Sequence, residues 1–258
     1  MSGNDSIRKT LIVAFSLCIV CAVLVSAAVV VLQPVQEVNK TLDRKRNILA
    51  AAGMLEDGKS VDEQFSKVQT RIVDLRTGKF ADEAVDIARY DQRKAAKNPD
   101  LSEALSPEED VAKIIRREQY SLVYLVQDSQ GAIQKIILPI RGYGLWSTLY
   151  GFIALESDGN TIAGVGFYEH GETPGLGGEV DNPRWKAFWP GKQVYRDGEV
   201  QIGLIKGSVD PAAASAPWQV DGLAGATLTS RGVTNLVHFW LGENGFEPFL
   251  NNLRAGEA

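Results

Sequence analysis

The sequence predicts an α+β protein, in which an N-terminal transmembrane helix is followed by a single domain with an antiparallel sheet and flanking helices. Three observations predict it: an uncharged apolar run near the N-terminus, four β-rich runs separated by turn residues from Tyr120 onward, and helical apolar spacing near the C-terminus. The chain has 258 residues, a net charge of −5 and an ordinary share of apolar and charged residues. That is enough chain for one real core, and it excludes disorder and a fibrous design. No dense Lys/Arg stripe with interleaved aromatics occurs, which excludes a nucleic-acid surface.

The first element is the segment from Leu11 to Leu32, which contains no charged residue. As a helix it is about 33 Å long, enough to cross a bilayer core. Arg8 and Lys9 precede it and Pro34 follows it, so the expected layout is a tail at 1–10 and a span at 11–33. Val25-Ser26-Ala27 resembles a signal-peptide cleavage site, but the apolar run continues through Leu32, which favours an uncleaved anchor. Basic residues flank both ends, with Lys40, Arg44, Lys45 and Arg46 after the span, so charge counting leaves the orientation open. The two cysteines, Cys18 and Cys21, lie inside the apolar run and read as small residues of a buried helix rather than a metal or redox pair.

Residues 34–119 read as a juxtamembrane helix followed by a charged helical region. Val38, Leu42, Ile48, Leu49, Ala52 and Leu55 fall near helical spacing, with Gly53 toward the end. Ala81 to Arg117 is rich in charge and alanine, carries Pro99 and Pro107, and reads as solvated helices or an insertion. Residues 120–258 form the expected domain core. Its strands are Tyr120 to Gln127, Ala132 to Ile140, Gly151 to Glu156 and Thr161 to Tyr168, with turn chemistry at Asp128 to Gly131 and Ser157 to Asn160. Ile202 to Ile205 adds a short strand. Arg231 to Leu241 and Glu247 to Leu253 read as helices, the first packing Val233, Leu236, Val237 and Trp240 on one face.

Two glycine-rich segments stand out. His170 to Gly178 follows a strand and offers bare backbone, the Glu172 carboxylate and Leu176; a flat ligand can approach such backbone closely, and a wide turn has the same composition. Asp221 to Ser230 runs directly into the Arg231 helix. Thr229 and Ser230 suit the capping position, whereas Thr227 lies earlier, on a loop with space around its hydroxyl. A phosphate attached there would face the positive end of the helix. There is no G-x-S-x-G elbow, P-loop or dinucleotide fingerprint, and the two histidines, His170 and His238, make no metal-ligand pattern. A complete NADH-binding active site within this chain is therefore not expected.

On these residues the chain resembles the FMN-binding domain family, as represented by the C subunit of the Na+-translocating NADH:quinone reductase. The resemblance runs from the basic tail through Ile48-Leu49-Ala50-Ala51-Ala52-Gly53 to Phe239-Trp240-Leu241-Gly242. Its most specific element is the flavinylation motif, mapped here to Asp221, Ala224, Gly225, Ala226 and Thr227, with Ala224 where Ser or Thr is usual. The resemblance implies that Thr227 takes FMN from FAD as a covalent phosphoester, with Asp221 in recognition by the flavin transferase. Gly142 to Trp146, Glu172 to Gly177 and Lys206-Gly207 match segments that surround the flavin in the family. Leu145, Trp146 and Leu176 are thereby expected to cover the ring, and Glu172, Thr173, Gly175, Lys206 and Gly207 to line its polar edges, beside Gly225 and Ala226.

The resemblance also implies a single-pass protein of the bacterial inner membrane with a cytoplasmic tail and a periplasmic flavin domain. Its implied partners are the flavoprotein B subunit, iron–sulfur-bearing membrane subunits and the flavin transferase, with sodium transport a property of the complex. The implied role is to carry electrons from an iron–sulfur centre to the flavin of the B subunit. The G subunit of the Rnf electron-transport complex, an anchored module binding flavin reversibly, and a purely structural assembly protein are the alternative readings.

Overall fold

The computed structural model describes residues 6–258, so the first half of the expected tail, residues 1–5, lies outside the described residues. The chain divides into two units, Met1–Arg44 and Lys45–Ala258. Helix α1 runs from Ile7 to Ala51 and, contrary to the expected stop, continues through Pro34. Proline removes only one intrahelical donor, and a long apolar helix with intact turns on both sides tolerates that loss. In the first unit the apolar residues from Leu11 to Leu32 are exposed along the helix, and this is the one described helix long and apolar enough to cross a membrane. Cys18 and Cys21 are unbridged on that surface.

The second unit begins with the last turns of α1, followed by α2 (Val61–Phe65), β1 (Val68–Asp74), β2 (Lys79–Phe80) and α3 (Gln92–Lys97). Strands β3 (Ser102–Ala104) and β4 (Arg116–Glu118) form a small antiparallel pair. Then come β5 (Tyr120–Gln127), β6 (Ile133–Tyr143), β7 (Thr148–Glu156) and β8 (Ile162–Glu169), and after them α4 (Pro183–Lys186), β9 (Tyr195–Arg196) and β10 (Glu199–Val200). The chain closes with β11 (Gly203–Leu204), β12 (Gln219–Val220), α5 (Thr227–Leu241) and α6 (Glu247–Ala255).

The main sheet has six strands in the order β2-β1-β5-β6-β7-β8, each antiparallel to its neighbours. Strands β5 to β8 are the four β-rich runs of the sequence, a meander joined by short turns. Two outer strands, β2 and β1, come from the segment before Tyr120. Ala81 to Arg117, expected as solvated helices or an insertion, holds one short helix, a strand pair and turns. It also contributes buried Arg117, which donates to the Asn244 carbonyl at 2.6 Å and so ties this segment to the loop between α5 and α6.

Both faces of the sheet are covered, which is why β5 and β7 read as near-continuous apolar runs. One face carries Val123, Leu125, Leu138, Ile153 and Val165 against Leu236, Val237 and Trp240 of α5 and Phe249 of α6. The other carries Ile72, Leu122, Tyr124, Ile137 and Phe152 against Ile48 and Leu49 at the end of α1 and Ala52 just after it. The alternation of Leu122 and Tyr124 with Val123 and Leu125 assigns each side chain to its face.

Between the layers at one end, Glu118 and Arg141 form a buried pair at 2.6 Å and 2.9 Å. Gln92 donates to the same Glu118 carboxylate, and the Trp240 indole donates to the Arg141 carbonyl at 2.7 Å. These bonds fix α5 against the C-terminal end of β6, which is where the candidate site lies.

Candidate functional site

Helix α5 begins at Thr227, four residues earlier than the apolar periodicity predicts. Thr227 is therefore the first helical residue rather than a member of the preceding loop, and neither Thr229 nor Ser230 caps the helix. The physical reason is that both hydroxyls have other partners. Ser230 Oγ donates to the Ala226 carbonyl at 3.1 Å and accepts from the Leu223 amide at 3.0 Å, which folds the loop back on the first turn. Thr229 is fully buried and donates to Glu172 Oε2 at 2.6 Å. The capping position falls to Ala226, which has no side-chain acceptor to offer. The amides of Thr227, Leu228 and Thr229 consequently donate to no group among the described residues, and the Thr227 hydroxyl, which is exposed, makes no hydrogen bond.

Three further segments converge on this helix start. The 170–178 loop is stitched to the turn after β6 at two points: the Gly171 amide donates to Ser147 Oγ at 2.5 Å, and Glu172 accepts from the amides of Leu145, Trp146 and Ser147 at 2.9–3.3 Å. Burial alone would raise the Glu172 carboxyl, but the bonds from Thr229 and from these amides outweigh it and hold the group below the ordinary carboxylate range. The Glu172 amide donates to His170 Nδ1 at 3.2 Å, and His170 Nε2 pairs with Asp181 at 2.8 Å.

The third segment follows β11, which is parallel to β12 and bonded to α5 through the Leu204 amide and Thr234 Oγ1 at 3.0 Å. It brings Lys206 and Gly207 beside the 221–226 loop, where the Gly222 amide donates to the Gly207 carbonyl at 3.0 Å. Asp221 is held on both sides. Its carboxylate accepts from the Val209 amide at 2.9 Å, and its carbonyl accepts from the Trp185 indole at 2.9 Å.

The structure thus gathers the predicted residues around one end of the sheet. Thr173, Gly175, Leu176, Ala224, Gly225, Lys206 and Gly207 lie there, all of them exposed, Leu145 is half-buried, and Ala226 is buried. Trp146 is 65% exposed, Leu228 52% and Leu176 44%, a concentration of apolar surface that a sealed core would not leave. Four participants were not predicted: Ser147, Thr229, Trp185 and Leu228. Thr229 was legible only as a cap, because its true partner lies 57 residues away in sequence.

Residues 144–242 match the FMN-binding domain family. Over its whole length the chain is 57% identical to all of the C subunit of the Na(+)-translocating NADH-quinone reductase of Pseudomonas aeruginosa. It is 47% identical to the corresponding C subunit of Yersinia pestis, covering 98% of this chain and 96% of that one. The chain belongs to the C-subunit family of the Na(+)-translocating NADH-quinone reductases. In three dimensions it is similar to the crystal structure of the Shewanella oneidensis NqrC, with a TM-score of 0.76, 40% identity, and coverage of 84% of this chain and 99% of that one. The C subunit of the Parabacteroides distasonis enzyme gives a TM-score of 0.64 at 27% identity, covering 85% and 96%.

Membership of this family decides between the quinone reductase and the Rnf reading in favour of the former, and makes the chain part of an oxidoreductase complex. The matched FMN-binding segment opens at Gly144, closes at Gly242 and spans every converging loop described above. The residues present fit FMN. Unpaired amides at a helix start suit its phosphate, and exposed Trp146 and Leu176 suit its flat ring. Among the described residues there is no cluster of metal ligands.

Proposed function

We propose that the chain carries electrons for the quinone reductase on an FMN joined to Thr227 through a phosphoester. The observation that carries this reading is the Thr227 hydroxyl, exposed and unbonded on the first residue of α5, beside three unpaired amides. In the attachment step the Thr227 oxygen bonds to the riboflavin-side phosphorus of FAD. The pyrophosphate P–O bond breaks, and AMP and the hydroxyl proton leave. The amides of Thr227, Leu228 and Thr229 would hold the phosphate, and the positive end of α5 would offset its charge.

Leu145, Trp146 and Leu176 would cover the ring and exclude water from it, while Thr173, Gly175, Lys206 and Gly207 would line its polar edges. Bound FMN supplies acceptance and release of single electrons. Asp221 serves recognition by the flavin transferase. The domain lies on the periplasmic side of the inner membrane, with the basic tail in the cytoplasm. It takes electrons from an iron–sulfur centre of the membrane subunits and passes them to the flavin of the B subunit.

Peptide mass spectrometry on the denatured, full-length protein from its native membrane tests the attachment. An FMN mass on the Thr227 peptide, retained in Thr227→Ser and absent from Thr227→Ala, is the expected result. An unmodified peptide in the presence of active transferase, with flavin lost on denaturation, overturns the covalent reading in favour of reversible binding.

A further inference from the structure

We propose that Glu172 is the positioning residue of this site: its carboxylate locks the 145–147 turn, the 171–178 loop and the first turn of α5 together, and its charge sets the electrostatic potential felt by the group on Thr227. The inference rests on the FMN reading of Thr227 for its second half only. Sequence reasoning assigned Glu172 to the polar edge of the flavin, but both oxygens are already occupied within the chain. Oε1 accepts from the amides of Leu145, Trp146 and Ser147, and Oε2 from Thr229 Oγ1 and, at 3.2 Å, from the Leu145 amide. A carboxylate has about four acceptor positions, so little capacity remains for a ligand.

The surroundings are built for this one group. A Cβ on Gly144 would lie 2.6 Å from Oε1, and one on Gly177 would lie 2.8 Å from Oε2 and 2.5 Å from Thr229 Oγ1. Only glycine at both positions lets the two loops close on the carboxylate. Glu172 is 5% exposed and Thr229 fully buried, so the tie is shielded from water, where charge-assisted bonds and fixed charges act most strongly. Its end point is Thr229, two residues along the same first helical turn from the Thr227 hydroxyl. A negative charge held there opposes the addition of electrons to a nearby acceptor.

Two substitutions separate the lock from the charge. Glu172→Gln keeps an oxygen for the three amides, and the Thr229 hydroxyl can turn to accept from the new NH2 group, so geometry is retained while the charge is lost. Glu172→Ala removes both. Hydrogen exchange on the full-length chain before flavin loading reads the lock. The amides of residues 145–147 should exchange at least tenfold faster in Glu172→Ala, and in Glu172→Gln should stay within about threefold of the wild type. Thr229→Val removes only the tie to α5 and leaves the carboxylate's bonds to the three amides, so their exchange should quicken by less than in Glu172→Ala; it serves as the folded test should the alanine variant fail to fold.

Spectroelectrochemical titration of the loaded chain reads the charge. Glu172→Gln should favour the reduced flavin by about tenfold at a fixed potential, equivalent to about 59 mV for a one-electron step. Unchanged exchange in both Glu172→Ala and Thr229→Val overturns the lock, and an unchanged potential in a loaded Glu172→Gln overturns the charge role. Wild-type protein that stays without covalent flavin in the presence of active transferase overturns the Thr227 reading instead, and leaves the exchange result standing on its own.

Discussion

Gly232→Ala sets two opposed effects against each other inside the helix that carries Thr227. Gly232 is buried in α5, and replacing an interior helical glycine with alanine ordinarily gains about 1 kcal/mol from backbone entropy and propensity. Here the new Cβ would stand 2.5 Å from the Tyr143 carbonyl oxygen and 2.9 Å from the Gly144 Cα. Both obstacles are backbone, and neither can swing aside. The Gly144 amide is bonded to the Ser147 carbonyl at 2.9 Å, the Tyr143 amide to the Ala112 carbonyl at 2.8 Å, and the next residue's amide to Glu172. Relief requires α5 to lift from the sheet, against the packing of Val233, Leu236 and Trp240.

Forcing an extra methyl group into a closed core costs about 1–3 kcal/mol and more where nothing yields, so the steric term wins. The expected net loss is about 1–2 kcal/mol, which lowers the melting temperature by roughly 2–8 °C for a unit of this size. Tryptophan fluorescence during heating of the full-length chain in detergent measures it, because all five tryptophans lie in the unit that begins at Lys45. A variant as stable as the wild type, or more so, would refute the reasoning by showing that propensity outweighs the contact.

Two further outcomes follow from the buried charges. Glu118→Ala leaves Arg141, 10% exposed, without its carboxylate, and should destabilise the chain by about 3–5 kcal/mol; Glu118→Leu with Arg141→Met should cost far less than the sum of the single changes in a urea-unfolding cycle, and simple additivity would sink the idea that the two form one unit. Glu172 has a folded-state pKa below its ordinary value of 4.5, so its contribution is fully present above that value and is lost as pH falls through the folded value. The stability difference between wild type and Glu172→Gln should therefore be constant near neutrality and shrink on acidification below about pH 4.5; a difference that grows on acidification contradicts the sign.

The strands β5 to β8 were legible because apolar runs bounded by Asp, Gly and Asn turns leave few alternatives to a meander. Strands β1 and β2 were not, since Val68–Asp74 carries Gln69, Thr70 and Arg71 among its apolar residues, and its place beside β5 is decided by a partner some fifty residues away. The charged segment before Tyr120 was misread for a related reason. Charge usually marks a solvated face, but Arg117 and Glu118 are buried because Asn244, Glu103, Gln92 and Arg141 meet them, and none of those meetings is local in sequence.

The Gly225-Ala226-Thr227 segment reverses this pattern. Its Gly-Ala-Thr composition pointed to an accessible hydroxyl ahead of a helix, and accessibility is a local property. What the sequence could not reveal is why the helix starts so early. A Thr and a Ser at positions 229 and 230 ordinarily signal a cap, yet each is diverted by a long-range or folded-back bond, to Glu172 and to Leu223. Diverting both potential caps moves the helix start to Thr227 and leaves its first amides without acceptors. The same tertiary bonds that defeat a sequence-based boundary therefore leave unpaired amides at the start of α5, the feature on which the proposed phosphate attachment at Thr227 rests.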